Sequence, residues 1–357
     1  MEPAEIVYLT QAMLDAGDRL NWPYPIVVDK HCVGGLPGNR TTPIVVAIVA
    51  ATDVPMPKTS SRAITSPAGT ADAMETMAPV NLSLDSMRRV VDREGGCVVW
   101  GGAVQLSPAD DVLVRVERAL DIDSEAQLIA SILSKKAAAG STHVVIDIPV
   151  GPTAKVRDAA APAHLSELLS HVGKHVGLHV TVVEPSGAQP VGRGIGPALE
   201  AHDVLAVLNN TASAPDDLRQ RAVMLAGRVL DMTDMVDSDQ GETQASSVLI
   251  QGKAWEKFQA ICEAQGGMRI PPVAKHRRDV PADRTGHVMT IDNRRLAKVA
   301  KLAGAPMSAA AGLELHVKVG DRIAFGDTLL SIHAESAGEL AYAMNYLDRQ
   351  ADVIAVS

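Results

Sequence analysis

Hydrophobic and polar positions follow two different periods along this chain, and each period predicts a type of element. Ile6, Leu9 and Met13 recur at roughly helical spacing, which predicts an amphipathic helix over residues 4–20. The run 144–150 is almost continuously apolar, as expected of a strand that is buried on both faces of a sheet. The chain therefore combines amphipathic helices with buried strands.

The two patterns alternate through the middle of the chain. Further strands are predicted at 26–28, 98–100 and 180–183, and helices at 43–51, 125–139, 162–176, 196–209, 217–232 and 243–264. Residues 55–58 are predicted to be a break between elements. Such alternation predicts an α/β fold, in which helices flank an open mixed sheet.

The pattern changes near residue 281. Short strands are predicted at 286–291, 313–319 and 328–332, with glycine-aspartate turns between them. We therefore expect an α/β domain over residues 23–280 and a small α+β domain over residues 281–357.

Composition and charge exclude several classes of partner. The net charge is −9 and no basic block is present, which argues against nucleic acid or an anionic membrane as a partner. The three cysteines lie far apart, so neither a disulfide framework nor a structural zinc site is predicted. No apolar run has transmembrane length, and the start does not resemble a signal peptide. These features predict a cytoplasmic protein.

The run 58–75 concentrates groups that suit an oxyanion. Arg62 offers a fork of N–H donors, and Gly69 lets backbone amides approach closely. A helix is predicted to begin at Thr70, where free N–H groups and the positive end of the helix dipole favour a bound phosphate. Hydroxyl donors come from Ser60, Ser61, Thr65, Ser66 and Thr70. The alternative is a capped helix that follows an ordinary polar loop.

A second candidate phosphate segment follows the predicted strand 26–28. Lys30 would supply a point charge beside a turn at Gly34 and Gly35, where backbone amides can approach an anion. This pattern is weak alone, because many surface turns contain it. Joined to the run 58–75, it predicts a phosphate site between the two segments.

The run 58–75 resembles the pattern Ser-x-Arg-x-x-x-x-x-Gly-Gly-Thr-x-Asp-x-x-Glu of the thymidine and pyrimidine-nucleoside phosphorylases. The match begins at Ser60, and Ala68 stands where the first glycine is usual. The stretch Ser-Arg-Ala-Ile-Thr-Ser at 61–66 is similar to the branch that contains the archaeal AMP phosphorylases. Lys30-His31-x-x-Gly34-Gly35 matches the family's Lys-His-Ser-x-Gly-Gly, with Cys32 in place of serine. The resemblance covers essentially the whole chain.

The resemblance implies phosphorolysis of the N-glycosidic bond of a nucleoside or a nucleoside 5′-monophosphate. The products would be a free base and an α-sugar 1-phosphate. Inorganic phosphate would be a co-substrate, with no cofactor and no metal. The substrate- or phosphate-binding residues that it implies are Lys30, Gly35, Ser60, Ser61, Arg62, Ala63, Ile64, Thr65, Ser66, Thr70, Ser131, Lys135 and Lys155.

Within that family resemblance, Asp123 is the implied proton donor to the departing base. Such an acid needs a raised pKa, which burial or the neighbouring carboxylates Asp121 and Glu125 would provide. The alternative for Asp123 is an N-cap of the helix 125–139. Where pyrimidine-specific members carry a base-binding arginine, the register places Val116, which favours a nucleotide over thymidine.

The resemblance also implies assembly, although other readings stay open. Family members form homodimers largely through a small helical domain, of which residues 1–22 would be a remnant. The helices that precede it in the family are missing here, so the chain is expected to be short at its amino terminus. Two alternatives are a catalytically silent remnant and a tail that acts as a carrier-like binding module.

Overall fold

A computed structural model describes residues 1–357 except 35, 37, 39, 64, 105, 111, 114, 115, 117–123, 158–160, 234–238 and 351. Its helices are α1 (Pro3–Asp15), α2 (Thr41–Ala50), α3 (Thr70–Glu75), α4 (Leu84–Glu94), α5 (Glu125–Ala138), α6 (Ala161–His175), α7 (Pro197–Leu208), α8 (Asp216–Leu230), α9 (Gly241–Ile250), α10 (Lys253–Ala264), α11 (Asn293–Leu302) and α12 (Ala337–Arg349). Its strands are β1 (Val28–Cys32), β2 (Met56–Ser60), β3 (Gly96–Trp100), β4 (His143–Asp147), β5 (His179–Val183), β6 (Gly194–Ile195), β7 (His276–Pro281), β8 (Gly286–Ile291), β9 (Gly312–Leu315), β10 (Arg322–Ile323), β11 (Thr328–Ala334) and β12 (Ile354–Val356).

The predicted α/β class is confirmed. Strand β4 pairs in parallel with β1 and β5, and β2 pairs in parallel with β3. The Val28 amide donates to the Pro55 carbonyl at 3.0 Å, which sets β2 beside β1. Because these strands are parallel, the residues at their carboxyl ends meet at one edge of the sheet.

Helix α2 forms the centre of the largest apolar core. All ten of its residues are buried, and its apolar side chains pack with those of α8, α9 and α10. A helix that is apolar on every face must be covered on every face. Its first residue, Thr41, is thereby fixed at the carboxyl edge of the sheet.

Three predictions for local structure were wrong. The strand predicted at 26–28 is Val28–Cys32, so Lys30 lies on the strand and not in the turn after it. The segment 55–58 is not a break, because Met56–Ser60 forms the buried strand β2; its prolines hid the strand pattern. The single helix predicted at 243–264 is two helices. Gly252 adopts a φ of +79° between α9 and α10, a left-handed conformation that ends α9.

The carboxy-terminal part is antiparallel. One sheet has the order β6-β9-β11-β7 and the other has the order β10-β8-β12, with α11 and α12 packed against them. Strand β6 comes from the middle of the chain, and β7 crosses the expected boundary at 280/281. The domain limits given above stay predictions. No helix in the described ranges is long and apolar enough to cross a membrane.

Candidate active site

Lys30, which is predicted to bind phosphate, is held in a buried network. It lies on β1, is fully buried, and donates from Nζ to the Thr41 hydroxyl at 2.7 Å. The Asp147 carboxylate, at the end of β4, is 3.7 Å from the same ammonium group. The parallel register of β1 and β4 therefore brings the predicted lysine to the edge of the sheet where α2 begins.

A buried lysine pair meets Asp29, the residue before Lys30 on β1. Asp29 Oδ1 is 3.0 Å from Lys58 Nζ, and Asp29 Oδ2 is 2.8 Å from Lys136 Nζ. Burial would raise the pKa of Asp29, but Lys136 and Lys58 outweigh it and hold that pKa below its ordinary value. Burial lowers the pKa of Lys58 well below its usual range, against the attraction of Asp29. The Asp29 carboxylate thus contacts the Nζ atoms of two lysines.

Two groups of charges meet the side chains of β1 residues. Asp147 is 3.7 Å from Lys30 Nζ and also 3.5 Å from Arg221 Nη1. Asp29 meets Lys58 and Lys136. Among the residues that the structure describes, each of these carboxylates thus lies within 4 Å of two basic side chains. Burial, strengthened by the neighbouring lysines, lowers the pKa of His31 well below its usual range, so this histidine is neutral. Lysine and arginine side chains bind phosphate, so this cluster of charges is the candidate phosphate site.

Sequence reasoning missed several members of this cluster. Lys58 begins the run that carries the family pattern, and Lys136 follows the predicted Lys135 directly. Neither was selected, because the sequence does not show that a lysine is buried or which carboxylate it meets. Asp29, Asp147 and Arg221 were missed for the same reason.

Ser60 places a hydroxyl next to this cluster. It is the last residue of β2, two positions after Lys58, and is buried. Within the described part of the chain, its Oγ has no hydrogen-bond partner. A buried hydroxyl without a partner is unfavourable, so it is a candidate ligand group. Thr70 begins α3, as predicted.

The loop 61–69 is held closed by Asp72. Its Oδ2 accepts hydrogen bonds from the amides of Ala63 at 2.7 Å and Gly69 at 2.9 Å, one from each end of the loop. A Cβ atom on Gly69 would lie 2.5 Å from the carbonyl oxygen of Ser61, so only glycine fits there. The Ser61 and Thr65 side chains are exposed, whereas the Ser66 hydroxyl donates to the Ala68 carbonyl at 2.8 Å.

Arg62 is engaged within the protein. Its guanidinium donates to Asp72 at 3.1 Å and to both oxygens of Glu75 at 2.6 and 3.0 Å, and it lies 4.9 Å from the centre of the Trp100 ring. The binding role expected of Arg62 stays a prediction. Its fork of donors holds the loop to α3.

Lys155 reaches the first phosphate segment. A Cβ atom on Gly34 would lie 2.8 Å from Lys155 Cβ and 3.0 Å from its Cδ, so the lysine stem packs directly on this glycine. Gly34 also has a φ of +84°, which disfavours any other residue. The structure thus brings together two predicted substrate segments, one after β1 and one after β4.

Ser131 and Lys135 share one face of α5. Lys135 Nζ donates to the Ser131 hydroxyl at 3.0 Å and to Asp110 Oδ2 at 2.7 Å. Lys135 is near enough to His31 to lower its pKa, so this face borders the buried cluster. Asp110 was not predicted from the sequence.

Three of the predicted site residues, Gly35, Ile64 and Asp123, lie outside the described residues. The N-cap of α5 is Ser124, whose hydroxyl accepts from the Gln127 amide at 3.3 Å.

Known families match most of the chain. The model for "Glycosyl transferase family, a/b domain" matches residues 24–255, and that for "Pyrimidine nucleoside phosphorylase C-terminal domain" matches residues 287–353. A protein of Polaromonas sp. strain JS666 named "Putative thymidine phosphorylase" is 61% identical over 356 residues. A protein of Chelativorans sp. strain BNC1 with the same name is 60% identical over 356 residues. The chain belongs to the thymidine phosphorylase family. The matches cover 100% of this chain and 70% of each relative.

Two solved structures, both named anthranilate phosphoribosyltransferase, share the fold. Anthranilate phosphoribosyltransferase from Thermus thermophilus superposes with a TM-score of 0.57 at 19% identity, covering 74% of this chain and 85% of that one. The Saccharomyces cerevisiae enzyme, solved in complex with PRPP and Mg, also has a TM-score of 0.57, at 14% identity, with 74% and 80% coverage. At these identities the likeness shows the fold alone. It places this thymidine phosphorylase family member among α/β phosphoribosyltransferase-type folds.

Proposed function

We propose that the chain catalyses phosphorolysis of the N-glycosidic bond of a nucleoside or a nucleoside 5′-monophosphate. The observation that carries this proposal is that Asp147 meets both Lys30 and Arg221 and that Asp29 meets both Lys58 and Lys136, while the Ser60 hydroxyl on the same strand as Lys58 lacks a partner among the described residues. Names of the 60% identical relatives and the matched carboxy-terminal domain support the same reaction.

In the proposed reaction, a phosphate oxygen forms a bond to the anomeric carbon of the sugar as the bond from that carbon to the base nitrogen breaks. The electron pair of the broken bond leaves with the base, which takes a proton from a general acid. The transition state carries positive charge on the sugar, as in glycoside hydrolysis, so a bound anionic nucleophile stabilises it. The lysine cluster would hold that nucleophile in line, which supplies much of the rate through positioning.

We also propose roles for the other residues of the candidate site. Ser131, Lys135 and Lys155 would hold the nucleoside, Asp123 would protonate the base, and the 61–66 stretch would face a nucleotide substrate. A nucleoside 5′-monophosphate is the preferred substrate class, a homodimer is the proposed assembly, and the cytoplasm is the proposed location. No cofactor is proposed.

A screen for phosphate-dependent base release tests this function. Thymidine, uridine, AMP, CMP and UMP are each incubated with the purified chain, with and without inorganic phosphate, and free base is quantified. Base release that requires phosphate, together with sugar 1-phosphate in equal amount, is the expected result. Release that proceeds equally without phosphate would indicate a hydrolase, and release from none of them would favour a catalytically silent protein.

A matched variant links the activity to the buried cluster. Thr41→Val keeps the shape of the side chain but removes the hydroxyl that accepts from Lys30, and we expect a higher KM for phosphate. Thr52→Val removes a hydroxyl that donates to the Val49 carbonyl just after α2, so it controls for the loss of a threonine hydroxyl. An equal effect of both variants would contradict the assignment.

A further inference from the structure

Helix α11 bridges two segments of the candidate active site. At its start, the Asn293 amide and side chain donate to the Thr153 hydroxyl at 3.1 and 3.0 Å, two residues before Lys155. Near its end, Lys301 Nζ donates to the Thr65 carbonyl at 2.9 Å. Eight residues of helix span about 12 Å, so α11 crosses from the segment after β4 to the loop 61–69.

The two faces of α11 differ in chemistry. Leu296, Val299 and Ala300 are buried in the apolar core of the carboxy-terminal part. Arg294, Lys298 and Lys301 are exposed and lie at positions i, i+4 and i+7, which is a single helical face. Because Lys301 of this face donates to the Thr65 carbonyl, the basic face meets the predicted substrate loop at its carboxyl end.

This row of cations is not explained by the stability of the helix. Like charges at i and i+4 repel, and Arg294 stands in the first turn, where the helix dipole already favours acidic residues. In the described ranges neither Arg294 nor Lys298 forms an ion pair, whereas their neighbour Arg295 lies 3.4 Å from Asp292. A cationic row kept in a chain of net charge −9 is typical of a binding surface.

We propose that the basic face of α11, formed by Arg294, Lys298 and Lys301, binds the 5′-phosphate of a nucleotide substrate. This rests on the proposed phosphorolysis and deepens it by naming the group that separates a nucleotide from a nucleoside. A phosphate monoester carries about −1.5 to −2 charges at neutral pH and three acceptor oxygens. Arginine and lysine donors match it, and the carboxy-terminal part thereby takes a direct role in substrate choice.

The test compares nucleotides with the corresponding nucleosides in matched variants. Lys298→Gln, Lys301→Gln and the double variant Arg294→Gln/Lys298→Gln are measured with AMP against adenosine and with UMP against uridine. We expect the ratio of kcat/KM for nucleotide to that for nucleoside to fall about tenfold or more per lost contact. Lys253→Gln, an exposed lysine at the start of α10, removes the same charge and should leave the ratio unchanged.

Several outcomes would overturn the inference without touching the proposed function. If nucleotides are consumed but the nucleotide-to-nucleoside ratio of kcat/KM falls no further than in Lys253→Gln, the basic face of α11 does not bind the 5′-phosphate. If only the KM for inorganic phosphate rises, the basic face of α11 binds the co-substrate instead.

Should the wild type release no base at all, calorimetry with AMP and adenosine still tests the site. Binding of AMP that is lost in the double variant supports the proposed 5′-phosphate site, and any other result contradicts it.

Discussion

The Glu75 carboxylate accepts two hydrogen bonds from the Arg62 guanidinium, Nη1–Oε2 at 2.6 Å and Nη2–Oε1 at 3.0 Å. The same guanidinium fixes Asp72, which accepts the amides of Ala63 and Gly69. The conspicuous arginine of the family pattern is therefore part of a brace around the loop 61–69.

We predict that Arg62→Lys loosens that loop. Lysine cannot make the paired contact with Glu75 or the flat contact with Trp100. The Ala63 and Gly69 amides should exchange hydrogen faster, while the free energy of unfolding falls by about 1 kcal/mol because the pair is partly exposed. Hydrogen exchange by mass spectrometry measures this. Arg88→Lys on α4, whose ion pair with Asp85 is exposed, is the control. Unchanged protection of the loop in Arg62→Lys would contradict the brace.

Gly34 allows a prediction with an internal control. Gly34→Ala introduces a Cβ atom 2.8 Å from the Lys155 stem, in addition to the strain at a φ of +84°. Gly177→Ala meets similar strain at a φ of +80°, but nothing lies within 4 Å of the new atom. Both variants should lose about 1–2 kcal/mol of stability.

Only Gly34→Ala should also impair turnover, because displacement of a substrate group by about 1 Å costs up to about 10²-fold. Steady-state kinetics and thermal unfolding of the two variants separate these effects. Equal activity of the two variants would show that Lys155 is not a substrate group.

The buried carboxyl group of Glu200 should make the free energy of unfolding depend on pH. It is buried on α7, with Oε1 3.6 Å from Arg40 Nη2, and burial raises its pKa from 4.5 to about 7 despite Arg40. Since the folded state holds this proton more tightly than the unfolded state, the stabilisation is complete below pH 4.5 and is lost as the pH rises through about 7.

Glu200→Gln keeps the neutral shape, so it should flatten the pH dependence in that window. Above it the variant should be the more stable protein, on the order of 1–3 kcal/mol. Urea unfolding across the window measures this, with exposed Glu256→Gln as the control. Parallel curves for wild type and Glu200→Gln would contradict the raised pKa.

The order of the elements and the segments that form the candidate site could be predicted from the sequence. The ion-pair partners of the charged side chains in that site could not. Apolar runs predicted β3 and β4 closely, because a strand buried on both faces has few polar residues. The apolar run also predicted β5, although its residues are only partly buried or exposed. The family pattern selected Ser60 and Lys30. It could not show that Lys58 and Lys136 share Asp29, since that contact joins three elements through tertiary packing. The role of α11 was hidden for the same reason, because its contacts with Thr65 and Thr153 span more than a hundred residues.

Asp123 is the proposed general acid. Asp123→Asn keeps the size of the side chain but removes the transferable proton, so turnover should fall about 10²–10⁴-fold. Because Ser124 is the cap of α5, the stability penalty should belong to Ser124→Ala, at about 1 kcal/mol. Turnover and melting temperature are measured for both variants. Asp123→Asn should lower turnover but not the melting temperature, whereas Ser124→Ala should lower the melting temperature but not turnover.

A change of leaving group makes the test specific for proton donation. A para-nitrophenyl glycoside leaves as a stabilised anion, so its phosphorolysis needs no general acid. If Asp123 protonates the base, Asp123→Asn should be slow with the natural substrate and nearly normal with the activated one. If Asp123 positions the sugar instead, both substrates slow together, because misplacement affects the anomeric carbon whatever leaves from it. Equal loss with both substrates would therefore remove the acid role from Asp123 and leave it a positioning residue.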